Sequence, residues 1–288
     1  MKNLKQSAIL CIATLIAATT PAWTEPLGEL AKQTHYHGIS FARSGSTALL
    51  LATHHGIFAI DKDGDAKQVS LAQDFMGFSP DPSDPLSYFA SGHPKTGGNV
   101  GFLKSGDGGS TWTQVSPGMD GPVDFHQMDV SPANSKTIYG NYDGIQISHD
   151  SGITWAAAGT APESLIAIAA STLKVETLYA ATKNGIEVST DSGASWQSLA
   201  FSGEVVTMVK TGPKAVLLAF VVGKGLMKAS EDKPSEWSTL ANSFGDAVVL
   251  HLAINPADEN NFALTTQENA VLESHDGGAT FTPFGKAP

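Results

Sequence analysis

Short apolar runs recur along the chain at near-even spacing, each bounded by turn-forming residues. Residues 165–169 (LIAIA) and 205–209 (VVTMV) open such units. A Pro- or Asp-bearing turn follows, as in residues 131–134 (SPAN) and 255–258 (NPAD), and then a second run such as 137–140 (TIYG) or 178–181 (LYAA). Asn184-Gly185 then marks a tight hairpin into a third run, residues 185–188. Beyond residue 33 no stretch has helical periodicity, so the pattern predicts an all-β chain of short strands.

The third run of each unit leads into a shared phrase. Residues 105–112 (SGDGGSTW), 148–155 (SHDSGITW), 189–196 (STDSGASW) and 274–281 (SHDGGATF) all read S-x-D-x-G-x-[ST]-[WF]. A Ser and an Asp two apart can turn their oxygens onto nearby backbone N–H groups and close a tight turn. The Gly two residues later is free to take positive φ, and the aromatic residue begins the next strand with a large apolar group. On this reading the Asp residues are turn formers.

The phrase also sets a period. Trp112 to Trp155 spans 43 residues, Trp155 to Trp196 spans 41, and Trp196 to Phe281 spans 85, about two periods. A worn copy, residues 230–237 (SEDKPSEW), fills that gap, and one period before Trp112 falls Val69, preceded by the turn-like run 61–65 (DKDGD). Six repeats of about 42 residues therefore run from about residue 34 to 285, each long enough for four short strands. The expectation is a six-bladed β-propeller. The four phrases resemble the Asp-box (BNR) repeat of sialidase-like and sortilin-like propellers, which implies Asp-box turns between the outer two strands of each blade.

The amino terminus predicts a separate segment. Lys2 and Lys5 precede an apolar run, residues 8–18, and Thr20-Pro21-Ala22 offers small residues for cleavage. That pattern is a secretory signal peptide over residues 1–22, too short to span a membrane, with a single propeller domain over residues 23–288. Cys11, the one cysteine, would leave with it. The mature chain would then have neither disulfide nor thiolate ligand, and a bacterial periplasmic or secreted location is expected.

Charge and composition remove several functions. A net charge of −11 argues against nucleic acid and against an anionic membrane surface. The chain has one arginine, Arg43. Sialidases hold the substrate carboxylate with three arginines, and lysine does not reproduce a guanidinium fork. A sialidase mechanism is therefore excluded.

Histidine carries the functional signal. Of nine histidines, six fall in the first three repeats: His35, His37, His54, His55, His93 and His126. Aligned opening strands read HYHGIS at 35–40, DFMGFS at 74–79 and DFHQMDVS at 124–131. Alternation then pairs His35 with His37, Asp74 with Met76, and Asp124 with His126 and Met128 on one strand face each. Since opening strands line a propeller's channel, these residues converge on one patch. His54, His55 and His93 end the antiparallel second strands and return to the same mouth. Repeats four to six offer Ile166, Ile168, Val206, Met208, Leu250 and Leu252 instead, with His251 the exception. His149 and His275 lie within turn phrases at the opposite end, as surface residues.

Imidazole is the commonest metal ligand near neutral pH, and imidazole with thioether and no thiolate points to copper ahead of zinc. The candidate metal ligands are His35, His37, His54, His55, Met76, His93, His126 and Met128. Four or five would saturate one ion, the rest orienting them. Asp74 and Asp124 are supporting groups, or, in a second reading, the carboxylate pair of a glycoside hydrolase. A third reading is a sortilin-like propeller that binds another protein. The phrases THYHG, ATHHG, DFMGFS, ASGHP and VDFH, between residues 34 and 126, also resemble a bacterial exported Asp-box family often labelled glycosyl hydrolase. That label implies fold more than chemistry.

Overall fold

The computed structural model describes residues 24–43 and 45–285; the expected signal peptide lies outside them. Those residues form six antiparallel sheets, the blades of a six-bladed β-propeller, with the first strand of each blade innermost. Blade one comprises Tyr36–Phe41, Thr47–Thr53, Gly56–Asp61 and Asp65–Gln68. Blade two comprises Asp74–Pro80, Tyr88–His93, Phe102–Ser105 and Thr113–Ser116. Blade three follows with Gln127–Val130, Ile138–Asn141, Ile145–Ser148 and Ala156–Gly159. The opening strands of blades four to six are Leu165–Ala170, Val206–Gly212 and Val249–Asn255. Among the described residues no helix is long and apolar enough to cross a membrane.

Blade one carries a fifth strand. Thr24–Pro26 pairs with Asp65–Gln68 at its outer edge, and the short helix Leu27–Leu30 buries Leu30. Blade six is built from its own residues, its outer strand being Thr282–Pro283. The ring is held shut by apolar packing instead: Leu30, Tyr36, Leu49, Leu51 and Ile60 of the amino-terminal part share one core with Ala253, Ala263 and Val271 of blade six. A side-chain amide adds to this closure, Asn269 Nδ2 donating to the Ala31 carbonyl at 3.1 Å.

The Ser/Asp turns have one hydrogen-bond set. In blade three the Ser148 hydroxyl accepts the Gly152 N–H (2.8 Å), while Asp150 Oδ1 accepts the Thr154 N–H (2.9 Å). Ser105/Asp107, Ser189/Asp191 and Ser274/Asp276 repeat both contacts. Gly152 has φ +85° and lies against the Phe102 ring of blade two, where a Cβ would stand 2.0 Å from a ring carbon. The glycine is thus required twice, for the turn and for contact between neighbouring blades. In blade five the worn phrase closes as a two-residue turn, Ser230 pairing with Lys233.

One irregularity positions the site. In blades one, four, five and six the opening strand carries an extra residue relative to its partner: His37, Ile166, Thr207 and Leu250. Blade two has a related bulge containing Gly77 and Phe78 between Met76 and Ser79. A bulge re-aims the side chain it inserts, and His37, Gly77, Ile166, Thr207 and Leu250 all line the channel.

Candidate metal centre

Two groups of three ligand-bearing side chains stand at the channel mouth. One joins His37 and His54 of blade one to Asp74 of blade two; the other joins His93 of blade two to Asp124 and His126 at the entry to blade three. Within each group the nearest ligand atoms all lie within 4.8 Å of one another. The groups are related by the repeat: a histidine closing the second strand of one blade meets the aspartate opening the next.

His54 sits in the hairpin loop His54-His55, between Thr53 and Gly56, which pair across it. The Thr53 hydroxyl accepts the His55 N–H (2.9 Å) and donates to the Gly56 carbonyl (3.0 Å). Thr182 builds the same loop in blade four with Lys183 and Asn184, so the turn itself does not require histidine. His37 projects from its bulge to meet this loop. Its Nε2 lies 3.1 Å from His54 Nδ1 with the rings edge-on, and 3.7 Å from Asp74 Oδ1. Asp74 Oδ2 lies 3.1 Å from His54 Nδ1, whereas Asp74 Oδ1 is buried with no hydrogen-bond partner.

The second group is tighter. Asp124 is clamped between Val123 and Phe125, both fully buried, and its side chain is 7% exposed. Its Oδ2 meets His93 Nε2 at 2.8 Å and His126 Nε2 at 2.6 Å, while its Oδ1 is buried and unpartnered. His93 Nδ1 is 3.0 Å from the Gly98 carbonyl and must donate there. In neutral His93 the Nε2 lone pair then faces a carboxylate lone pair, a repulsive arrangement. A proton or a cation between them removes the repulsion. A ligating histidine whose other nitrogen donates to a carbonyl is also the usual way a metal-bound imidazole is oriented.

The electrostatics of the groups diverge. Burial, reinforced by the neighbouring His54, pushes His37 down to about 4, leaving its imidazole neutral at physiological pH. His126 is held above the usual histidine range, chiefly by its hydrogen bond with Asp124. His251, with Nε2 on the Tyr36 carbonyl at 3.2 Å, is pushed by burial to about 4.

The remaining sequence candidates lie elsewhere. His35 is exposed, its ring 6.0 Å from that of His54. His55 is exposed with Nε2 on the Gln33 carbonyl (3.2 Å). Met128 packs in a core with Phe89, Phe102 and Phe125, and Met76 is buried beside the blade-two bulge. The donors that meet within the two groups are imidazole and carboxylate, with Met128 lining the cavity behind His126. Sequence reading missed the split into two groups and the role of the bulge, while His251, noted as the exception in repeat six, does line the channel wall; only the glycines after His37 and Met76 hinted at the bulges.

No protein-family profile matches the chain, and no curated protein matches it. Solved structures do resemble it. A GH74 enzyme of Niastella koreensis superposes with TM-score 0.61 at 16% identity, over 87% of this chain and 45% of that one. The GH74 xyloglucanase of Xanthomonas campestris gives TM-score 0.58 at 16% identity with the same coverage. The chain thus spans under half the length of those enzymes. A structure of YCF48 bound to D1 peptide gives TM-score 0.54 at 17% identity, over 94% of this chain and 87% of that one. These likenesses establish the propeller fold.

Proposed function

We propose that this chain is an exported metal-binding propeller whose two His₂Asp groups each take a divalent transition-metal ion. The observation that carries the reading is Asp124, a buried carboxylate whose single oxygen meets two imidazole nitrogens, one of them His93 with its other nitrogen already committed. Three donors of this kind match a site with an open position; in a tetrahedral sphere at about 2.0–2.2 Å, ligand atoms stand about 3.3 Å apart. The donors here already lie within 4.8 Å of one another, close to that spacing.

Imidazole with carboxylate suits Cu²⁺ and Zn²⁺, and Cu²⁺ binds such sets more tightly. Met76 and Met128 are both buried, Met128 among phenylalanines, so the preference for copper rests on the stability order rather than on thioether. The expected signal peptide would deliver the protein to an exported compartment. A glycoside hydrolase using Asp74 and Asp124 has less support. Both carboxylates face imidazoles, and the adjoining cavity of about 220 Å³ is below the roughly 300–1,000 Å³ of an organic-ligand site.

Titration of untagged, chelator-stripped protein with Cu²⁺ and Zn²⁺ tests the proposal. Two equivalents bound by the wild type, and none by a His37→Ala/His126→Ala variant, are expected. Equal, negligible uptake by both proteins would sink it.

A further inference from the structure

Behind the two groups the channel opens into the cavity of about 220 Å³, several times the ~30 Å³ share of one liquid water. His37 and His126, one from each group, line it, as does Lys210 of blade five, its one lysine or arginine among the described residues. Lys210 and Asp129 also line a wider cavity, about 670 Å³, on the other side. The pair therefore marks the waist of the channel and the floor of the smaller cavity.

Lys210 is held there loosely. Its Nζ is 3.6 Å from Asp129 Oδ1, beyond hydrogen-bond length. Asp129 is already served by the Ala170 N–H at 2.9 Å and the Ser79 hydroxyl at 3.4 Å. Among the described residues no acceptor takes a Lys210 N–H in a hydrogen bond. An ammonium with unused donors thus closes one end of a cavity whose other end is the metal mouth.

We propose that this cavity binds a small oxyanion of the phosphate class between the metal mouth and Lys210. The proposal rests on the metal reading. Each ion would have three protein ligands and an open coordination position, and an oxyanion supplies hard oxygen donors to that position while accepting N–H bonds from Lys210. The cavity is too small for a sugar chain and polar at both ends, which an apolar ligand would not satisfy.

Calorimetric titration of inorganic phosphate into protein loaded with stoichiometric metal tests this, with phosphorus-NMR line broadening by Cu²⁺ as a second readout. Wild type should bind phosphate when metal-loaded and at least about tenfold more weakly when stripped. Lys210→Gln should weaken phosphate binding about tenfold, the weight of one charge-assisted hydrogen bond, with metal stoichiometry unchanged. Lys210→Arg should keep affinity near wild type, separating lost charge from misfolding. Metal-loaded wild type that ignores phosphate, or Lys210→Gln that binds it as tightly, overturns the oxyanion site alone. Failure to take up metal in the first place removes the metal reading beneath it.

Discussion

Asp74 and His93 are register partners across the first two strands of blade two, yet each serves a different ligand group. Asp74 turns to His54 of blade one, and His93 turns to Asp124 of blade three. Blade two is therefore the shared wall of both sites, and a change there reaches each.

The groups should be separable by mutation. His126→Ala should lower bound metal from two equivalents to one, and His37→Ala should do the same through the other group. Asp124→Asn should lose its ion while keeping a side chain of similar shape. Atomic-absorption stoichiometry checks this; a single substitution that abolished both sites would show one joint centre instead.

Acid should empty the groups in order. Metal competes with protons for the same nitrogens, and His126 takes a proton more readily than an ordinary histidine while His37 resists one down to about 4. As pH falls through the histidine range, the Asp124 group should release its ion first. Comparing His37→Ala with His126→Ala in a metal-release titration from about pH 8 to pH 5 reads each group alone. Release in the opposite order would contradict the assignment.

The metal-free protein should also lose stability on acidification. His37 and His251 have folded values near 4 against about 6.5 when unfolded. Between those values the unfolded chain binds protons the fold refuses, so stability falls as pH drops through that window. His126 has the opposite sign: its raised value adds stability that is fully present below about 6.5 and lost as pH rises through its folded value. Two lowered groups against one raised group predict a net fall in Tm toward pH 5. Saturating metal should reverse it, each site adding about 2.7 kcal/mol at a hundredfold excess over Kd. Scanning calorimetry with and without chelator checks both.

Much of this architecture was legible because a repeat turns one-dimensional spacing into position. Trp112, Trp155 and Trp196 gave the period, and the period brought His54 and His93 to equivalent strand ends and Asp74 and Asp124 to equivalent strand starts. The partition into two groups was not legible, because it depends on which side of a strand end each imidazole leaves. That choice is made by the extra residue at His37, by the Thr53 turn, and by the loop that presents the Gly98 carbonyl to His93. The methionines were half legible. Alternation places Met76 and Met128 on the ligand face, and Met128 does line the channel cavity beside His126, but it also packs among Phe89, Phe102 and Phe125, a contact that alternation alone does not reveal.

The bulge in blade two is where fold and site can be tested together. Gly77 has φ +57°, and a Cβ there would stand 2.3 Å from the Phe125 carbonyl oxygen. Neither strain can be relieved by a rotamer change, because φ and the Cβ position are set by the backbone and the Phe125 oxygen is a backbone atom. Gly77→Ala should therefore cost about 1–3 kcal/mol and push the Asp124–Phe125 segment outward, weakening the Asp124 group more than the His37 group. By contrast, Asp150→Ala removes turn bonds at the far end of blade three and should lower Tm while leaving both ions bound. Metal stoichiometry and melting of the two variants, measured side by side, distinguish a site seated on the bulge from one indifferent to it. If Gly77→Ala melts early yet keeps both ions at wild-type affinity, the bulge supports the fold alone.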